Sequence, residues 1–213
     1  NQISITDPDG NSRLFAYDIA GRLVSSTDED GNTISFGWGG DNQFEKITYP
    51  DGSVYTYVYD SYGNITGEID ENNNAVNYAY DLNGRVIQLQ NPDGTTMGFE
   101  YNARGDLVKI TDPKGYSVNM EYDVLGRMIK NTDALGSSVT IAYDEVGRER
   151  AITDGNGNTA HFEYTGKGNF KRIIGPDGKE QKFEYDKTGN LTKIIDGNGG
   201  VYEYKYDKTG NFI

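Results

Sequence analysis

Acidic residues flanked by glycine and asparagine are the first candidates for chemistry in this chain. The strings Asp28-Glu29-Asp30-Gly31-Asn32 and Asp154-Gly155-Asn156-Gly157-Asn158 have the composition of Ca²⁺-loop fragments. An EF-hand loop needs oxygen ligands at alternate positions and a bidentate glutamate at its twelfth. Counted from Asp28 the twelfth residue is Gly39, and from Asp154 it is Thr165, so both strings fail as complete loops. Weak Ca²⁺ sites stand as one reading; the other is that Asp, Asn and Gly are here because turns need them. Tyrosine is the second candidate, since Tyr-rich surfaces stack on sugar rings. The competing reading packs the same rings into a sheet with their hydroxyls reaching water at the rim. Nucleophilic catalysis has little to work with. His161 is the one histidine, it lies between Ala160 and Phe162, and the chain has no cysteine. Without a positioned nucleophile and base the chemistry of a triad is missing. Paired carboxylates are frequent but fall in turns, where water keeps their pKa ordinary. We therefore expect no catalytic, cofactor-binding or metal-ligating residue, no cofactor, and no enzyme activity.

The elements that must hold these residues are set by a repeat. Tyr17, Trp38, Tyr59, Tyr80, Tyr101, Tyr122, Tyr143, Tyr164, Tyr185 and Tyr206 follow one another at intervals of 21 residues. Self-similarity at such a period marks a repeat architecture that grows by addition and not by enlarging one core. The chain has 213 residues, a formal net charge of −13 and 35% hydrophobic residues, which drifts toward the composition of disordered segments. Against that stand 17 Tyr, 8 Phe and one Trp. Aromatics at fixed spacing point to an ordered, half-buried sheet. The acidic balance argues against nucleic acid as a partner, because phosphate binding requires clustered Lys and Arg. No apolar run reaches the roughly 18 residues of a spanning helix, so membrane insertion is not expected. The chain begins and ends within the pattern, at Asn1 and Ile213, and is expected to be a fragment of a larger protein.

One unit, Tyr80 to Tyr101, predicts two turns and two strands. Asp81-Leu82-Asn83-Gly84 and Asn91-Pro92-Asp93-Gly94 fit type I turns with glycine last. Asn42 replaces glycine once at the first turn, and asparagine is a residue that tolerates the left-handed region. After the first turn comes an apolar residue (Leu23, Phe44, Ile65, Val86, Leu107, Met128) and often Ile or Leu three positions later (Ile47, Leu89, Ile110, Ile152). An odd spacing puts such residues on opposite faces of a regular strand, so a β-bulge is expected to correct it. The second strand alternates, as in Tyr55-x-Tyr57-x-Tyr59 and Val139-x-Ile141-x-Tyr143. Arg22, Arg85, Arg127 and Arg148 follow the first turn and are expected to pair with nearby acids. The result is an all-β chain: tandem 21-residue β-hairpin repeats, about ten of them, as a single array over residues 1–213. Twisted open sheets rarely exceed about ten strands without curling, so a long antiparallel sheet of this kind must coil as a spiral or a shell wall.

The unit resembles the YD repeat, also called the RHS repeat. Tyr-Asp stands at Tyr17-Asp18, Tyr59-Asp60, Tyr80-Asp81, Tyr122-Asp123, Tyr143-Asp144, Tyr185-Asp186 and Tyr206-Asp207; Asn102 and Thr165 replace the Asp, and the second unit reads Trp38-Gly39. The resemblance implies a β-sheet spiral forming a hollow shell, which in bacterial polymorphic toxins and insecticidal toxin complexes encloses a C-terminal toxic domain. In animal teneurins it implies an extracellular adhesion scaffold. Bacterial members close with a self-cleaving aspartyl-protease-like region bearing a DPxGL-like motif. The nearest string here, Asp112-Pro113-Lys114-Gly115-Tyr116, falls in an ordinary turn position. The expected function is thus non-enzymatic: shell wall around a toxin or effector domain in a secreted or exported bacterial protein, located outside the cell or on its surface. Expected partners are the enclosed domain and neighbouring shell segments, with self-association through open sheet edges and glycans as further candidates. The alternatives are an extracellular adhesion or glycan-binding array and a self-assembling surface filament.

Overall fold

The computed structural model describes residues 1–213 and contains strands, turns and no helix. Five-residue and six-residue strands alternate. The five-residue strands are β1 (Gln2–Thr6), β3 (Leu23–Thr27), β5 (Phe44–Thr48), β7 (Ile65–Ile69), β9 (Val86–Gln90), β11 (Leu107–Thr111), β13 (Met128–Thr132), β15 (Glu149–Thr153), β17 (Phe170–Ile174) and β19 (Leu191–Ile195). The six-residue strands are β2 (Ser12–Tyr17), β4 (Thr33–Trp38), β6 (Val54–Tyr59), β8 (Ala75–Tyr80), β10 (Thr96–Tyr101), β12 (Ser117–Tyr122), β14 (Ser138–Tyr143), β16 (Thr159–Tyr164) and β18 (Glu180–Tyr185); β20 (Val201–Glu203) is shorter. The chain forms two compact units. One comprises Asn1–Glu100 with Thr111–Gly115, the other Tyr101–Ile110 with Tyr116–Ile213. In the first, each strand from β1 to β10 pairs antiparallel with the next; in the second, each strand from β12 to β20 does so.

Local chemistry explains the turns. In Asp60-Ser61-Tyr62-Gly63-Asn64 the Gly63 N–H donates to the Asp60 carbonyl at 3.2 Å and the Asp60 N–H donates to the Asn64 carbonyl at 3.0 Å. The Asp60 carboxylate accepts from the Tyr62 and Asn64 N–H groups, which makes an Asx turn. The pattern recurs at both turns of the unit. The last turn residue must enter the left-handed region: Gly84 has φ 76° and Asn42, the expected stand-in, has φ 64°. Asn73, with φ 63°, does the same at a second-type turn.

The expected bulge is present. Between β4 and β5, Phe36 faces Ile47 and Gly37 faces Lys46, but Trp38 faces Phe44, leaving Glu45 as the extra residue. The same shift falls between β2 and β3, β6 and β7, β8 and β9, β12 and β13, β14 and β15, β16 and β17, and β18 and β19. It brings residues three apart to one face. Phe36, Trp38, Phe44, Ile47, Tyr55, Tyr57 and Tyr59 thereby form one apolar surface in the first unit, and Phe162, Tyr164, Phe170, Ile173 and Phe183 do so in the second. The opposite face carries Ser25, Ser35, Lys46 and Thr56 in the first unit and His161, Glu163, Arg172 and Lys182 in the second.

No hydrophobic side chain is fully buried. The apolar residues shield one another within the layer: Trp38 and Phe44 meet edge-on at 5.2 Å, Tyr55 and Tyr57 lie tilted at 5.1 Å, and Tyr164 and Phe170 stack at 5.0 Å. Aromatic pairs of this geometry contribute about 0.5–1.5 kcal/mol beyond the area they bury. Stability therefore comes from lateral contacts that recur with the repeat, as in other one-dimensional arrays.

Candidate functional site

The sites that could do chemistry lie along the rim of first turns and on the aromatic face beneath it. The register between β3 and β4 runs only from Ser25↔Ser35 to Thr27↔Thr33, so Leu23 has no opposite residue on that side. Trp38 supplies the missing donor: its indole N–H donates to the Leu23 carbonyl at 2.8 Å. Tyrosine hydroxyls do the same one repeat after another. Tyr59 donates to the Phe44 carbonyl at 2.6 Å, Tyr80 to Ile65 at 2.5 Å, Tyr122 to Leu107 at 2.8 Å, Tyr143 to Met128 at 2.8 Å and Tyr164 to Glu149 at 2.8 Å. These hydroxyls therefore do not simply reach water. A carbonyl beyond the end of its ladder needs a donor, and the aromatic residue of the repeat provides it. Partial burial pushes the phenols of Tyr59, Tyr80, Tyr143 and Tyr164 above their ordinary value.

The turn arginines pair with acids as expected and also do more. Arg148 donates through Nε to Asp144 Oδ2 at 2.7 Å, its guanidinium sits 4.6 Å from the Tyr164 ring centroid, and Nη1 reaches the Thr165 carbonyl at 3.3 Å. Arg127 repeats the stacking over Tyr143 at 4.5 Å. Arg22 binds Asp18, lies 5.5 Å from the Trp38 ring and donates to Asn42 Oδ1 at 3.1 Å. Each arginine thus links its own turn to the following one. A cation over an aromatic face contributes about 0.5–1 kcal/mol at exposed sites.

The acidic strings are turns. Asp28 Oδ1 accepts the Asp30 and Asn32 N–H groups and Oδ2 accepts from Asn32 Nδ2; Asp154 does the same with Asn156 and Asn158. Bonds from the asparagine side chain, then from backbone N–H groups, hold both carboxyls below the usual range. The Thr209 hydroxyl bond lowers Asp207 to about 2. His161 lies exposed on the polar face opposite Ala151 and Ile174.

Two features had escaped the sequence. Glu68 sits on the aromatic face, where it accepts from Tyr55 Oη at 2.6 Å and Tyr78 Oη at 3.3 Å, and the bond to Glu68 pushes the Tyr55 phenol well up. On the polar face Arg172 bridges Glu163 and Glu180 across three strands. Sequence spacing carries no signal for either, because both depend on register.

Family and structural comparisons agree with this geometry. The RHS Repeat family model matches residues 1–33, 45–75, 59–96 and 101–138, and the Teneurin YD-shell model matches residues 133–213. No curated protein matches the sequence. Among solved structures the chain is similar to TcdB2-TccC3-TEV, with 16% identity, a TM-score of 0.69 and coverage of 99% of this chain and 13% of that one. It is similar to TcdB2-TccC3 without the hypervariable C-terminal region, at 15% identity and TM-score 0.70, again over 99% and 13%. It is also similar to the Photorhabdus luminescens Tc holotoxin pore, at 17% identity and TM-score 0.69, over 100% and 13%. At such low identity the likeness is one of fold. The chain spans 13% of the length of each of these structures.

Proposed function

The chain belongs to the RHS-repeat family of structural shell repeats, and we propose that it is a length of wall in a hollow β-shell enclosing a toxin or effector domain of an exported bacterial protein. In this reading residues 1–213 are a single array within a longer chain. Its partners are the enclosed domain and the adjoining shell segments, and its place is outside the cell or on its surface. The observation that carries the proposal is the single layer itself. One face is aromatic and only half-buried, and within each unit the same face recurs strand after strand with no second layer packed on it. A sheet of this kind has a use for two faces, one toward water and one toward an enclosed volume. Bulges at eight of the first-type turns increase local twist, and that favours closure over a flat ribbon.

Electron microscopy of the purified chain at several concentrations tests the reading. Curved or C-shaped particles of one size are the expected result. Long regular fibres would show that sheet edges pair between copies, and the chain would then be read as a filament.

A further inference from the structure

Glu68 is a charged residue where the repeat otherwise favours an apolar one. It lies three positions after Ile65, where other repeats place Ile47, Leu89 and Ile110, and it faces Tyr57 on one side and Val76 on the other. Glutamates on the opposite face meet cations. Glu121 pairs with Lys130, Glu163 with Arg172, Glu180 with Arg172 and Lys182, and Glu184 with Lys193. Around Glu68 phenols take that place. The other charged strand residue on the aromatic face of the first unit is Arg13, which is engaged by Glu29. It lies five strands away, about 24 Å. Glu68 thus keeps its negative charge on a half-buried aromatic surface.

Hydrogen bonding fixes what can bind there. Tyr55 Oη donates to Glu68 Oε2 at 2.6 Å, and Tyr78 Oη donates to Glu68 Oε1 at 3.3 Å. Each phenol has one hydrogen and gives it to the carboxylate. The bond to Glu68 pushes the Tyr55 phenol well up, so the hydrogen stays on the phenol and the charge on the carboxylate. Four oxygens are therefore gathered in one spot with lone pairs to offer and no hydrogen left to donate. The rings of Tyr55 and Tyr57, tilted 50° with centroids 5.1 Å apart, continue the apolar surface beside them. A partly desolvated carboxylate held by neutral donors alone gains from a counter-charge.

We propose that the Glu68 cluster is a primary-ammonium site, and that its occupant is a lysine side chain of the enclosed domain. An ammonium head has three hydrogens and no acceptor, which matches an acceptor-only set of one carboxylate and two phenol oxygens. Its aliphatic stem lies along the tyrosine rings, as amphipathic side chains do on apolar surfaces. A trimethylated ammonium has no hydrogen to donate. A guanidinium presents its donors in a planar fork suited to two free carboxylate oxygens, and Tyr55 and Tyr78 already engage both of those on Glu68. The choice of a lysine on the enclosed domain rests on the shell-wall reading; the ammonium chemistry rests on this cluster alone.

NMR titration of the chain, its tyrosine rings labelled, with Nα-acetyl-lysine amide at low ionic strength tests the site. The Nε-trimethyl-lysine and arginine amides are the comparison arms. The expected result is saturable shifts of the Tyr55 and Tyr78 ring signals, with the lysine compound at least about fivefold tighter than either comparison. Glu68→Leu installs the residue type of the Leu89 position, and it is expected to abolish the shifts while holding or raising the melting temperature. No saturable shift, or three cations bound equally, overturns the ammonium site; binding retained in Glu68→Leu refutes its location. Lysine binding by a chain that forms long fibres in the microscope would keep the site and remove the enclosed domain as its occupant. Curved particles without lysine binding would remove the site and leave the wall.

Discussion

If the repeat tyrosines serve as donors to carbonyls left beyond the end of each hairpin ladder, deleting their hydroxyls while keeping their rings should cost stability in proportion to the number removed. Tyr122, Tyr143 and Tyr164 lie in one unit and each donates at 2.8 Å to a carbonyl fifteen residues earlier. A neutral hydrogen bond contributes a net 0.5–1.5 kcal/mol or so. The Tyr122 and Tyr143 bonds are part-buried and belong near the middle of that range; the Tyr164 bond is exposed and belongs at the bottom. Successive sites are two strands apart, about 9.6 Å, far enough for roughly additive effects. The triple change Tyr122→Phe, Tyr143→Phe, Tyr164→Phe should therefore cost about 2.5 kcal/mol. At roughly 2–4 °C per kcal/mol for a chain of this size, that is a fall of about 5–10 °C in melting temperature. Scanning calorimetry at neutral pH reads it directly. Phenylalanine keeps the ring under Arg127 and Arg148, so stacking is preserved. Tyr62→Phe is the control, since Tyr62 is 90% exposed at a turn tip, and it should change stability by less than about 0.5 kcal/mol. A triple variant melting within a degree of the parent refutes the donor role; a Tyr62 change of equal cost shows the effect to be unspecific.

Gly84→Val and Gly126→Val force a β-branched residue to φ 76° and 84° and should each cost upwards of about 1–2 kcal/mol. Gly40→Ala, where φ is not positive and the added methyl meets nothing, should be neutral or mildly stabilising in the same melt. Urea midpoints across pH should form a plateau with two edges. Asp7, Asp28, Asp60, Asp70 and Asp154 have lowered folded-state pKa values, so their contribution is present above about pH 4, the unfolded value, and is lost as pH falls through the folded ones. Tyr59, Tyr80, Tyr143 and Tyr164 have raised values, so theirs is present below about pH 10 and is lost as pH rises beyond it. Because the oxygens of Asp28 and Asp154 already accept turn hydrogen bonds, millimolar Ca²⁺ and a chelator should leave the melting temperature within about a degree of each other; a rise with Ca²⁺ would show that these turns bind the ion.

Local features were legible in the residues alone. Glycine at the last turn position, with Asn42 as its replacement, follows from the steric cost of positive φ, and that cost is felt within one residue. Alternation in Tyr55-x-Tyr57-x-Tyr59 follows from the two-residue pleat of a strand, and the three-residue step from Phe44 to Ile47 required a bulge for the same reason. The sequence left open what the charged and hydroxyl groups touch. Arg148 and Tyr164 recur at a spacing of sixteen, and Tyr164 and Glu149 at fifteen, but those intervals say nothing until the register is known. It is the register of the folded sheet that brings the tyrosine hydroxyl to a carbonyl, lays the guanidinium over the next ring and holds Glu68 among phenols. The difference is one of range: turn and strand preferences act between adjacent residues, whereas these contacts join strands whose alignment is set jointly by two turns and a bulge. A one-residue slip would send each of those side chains to the other face.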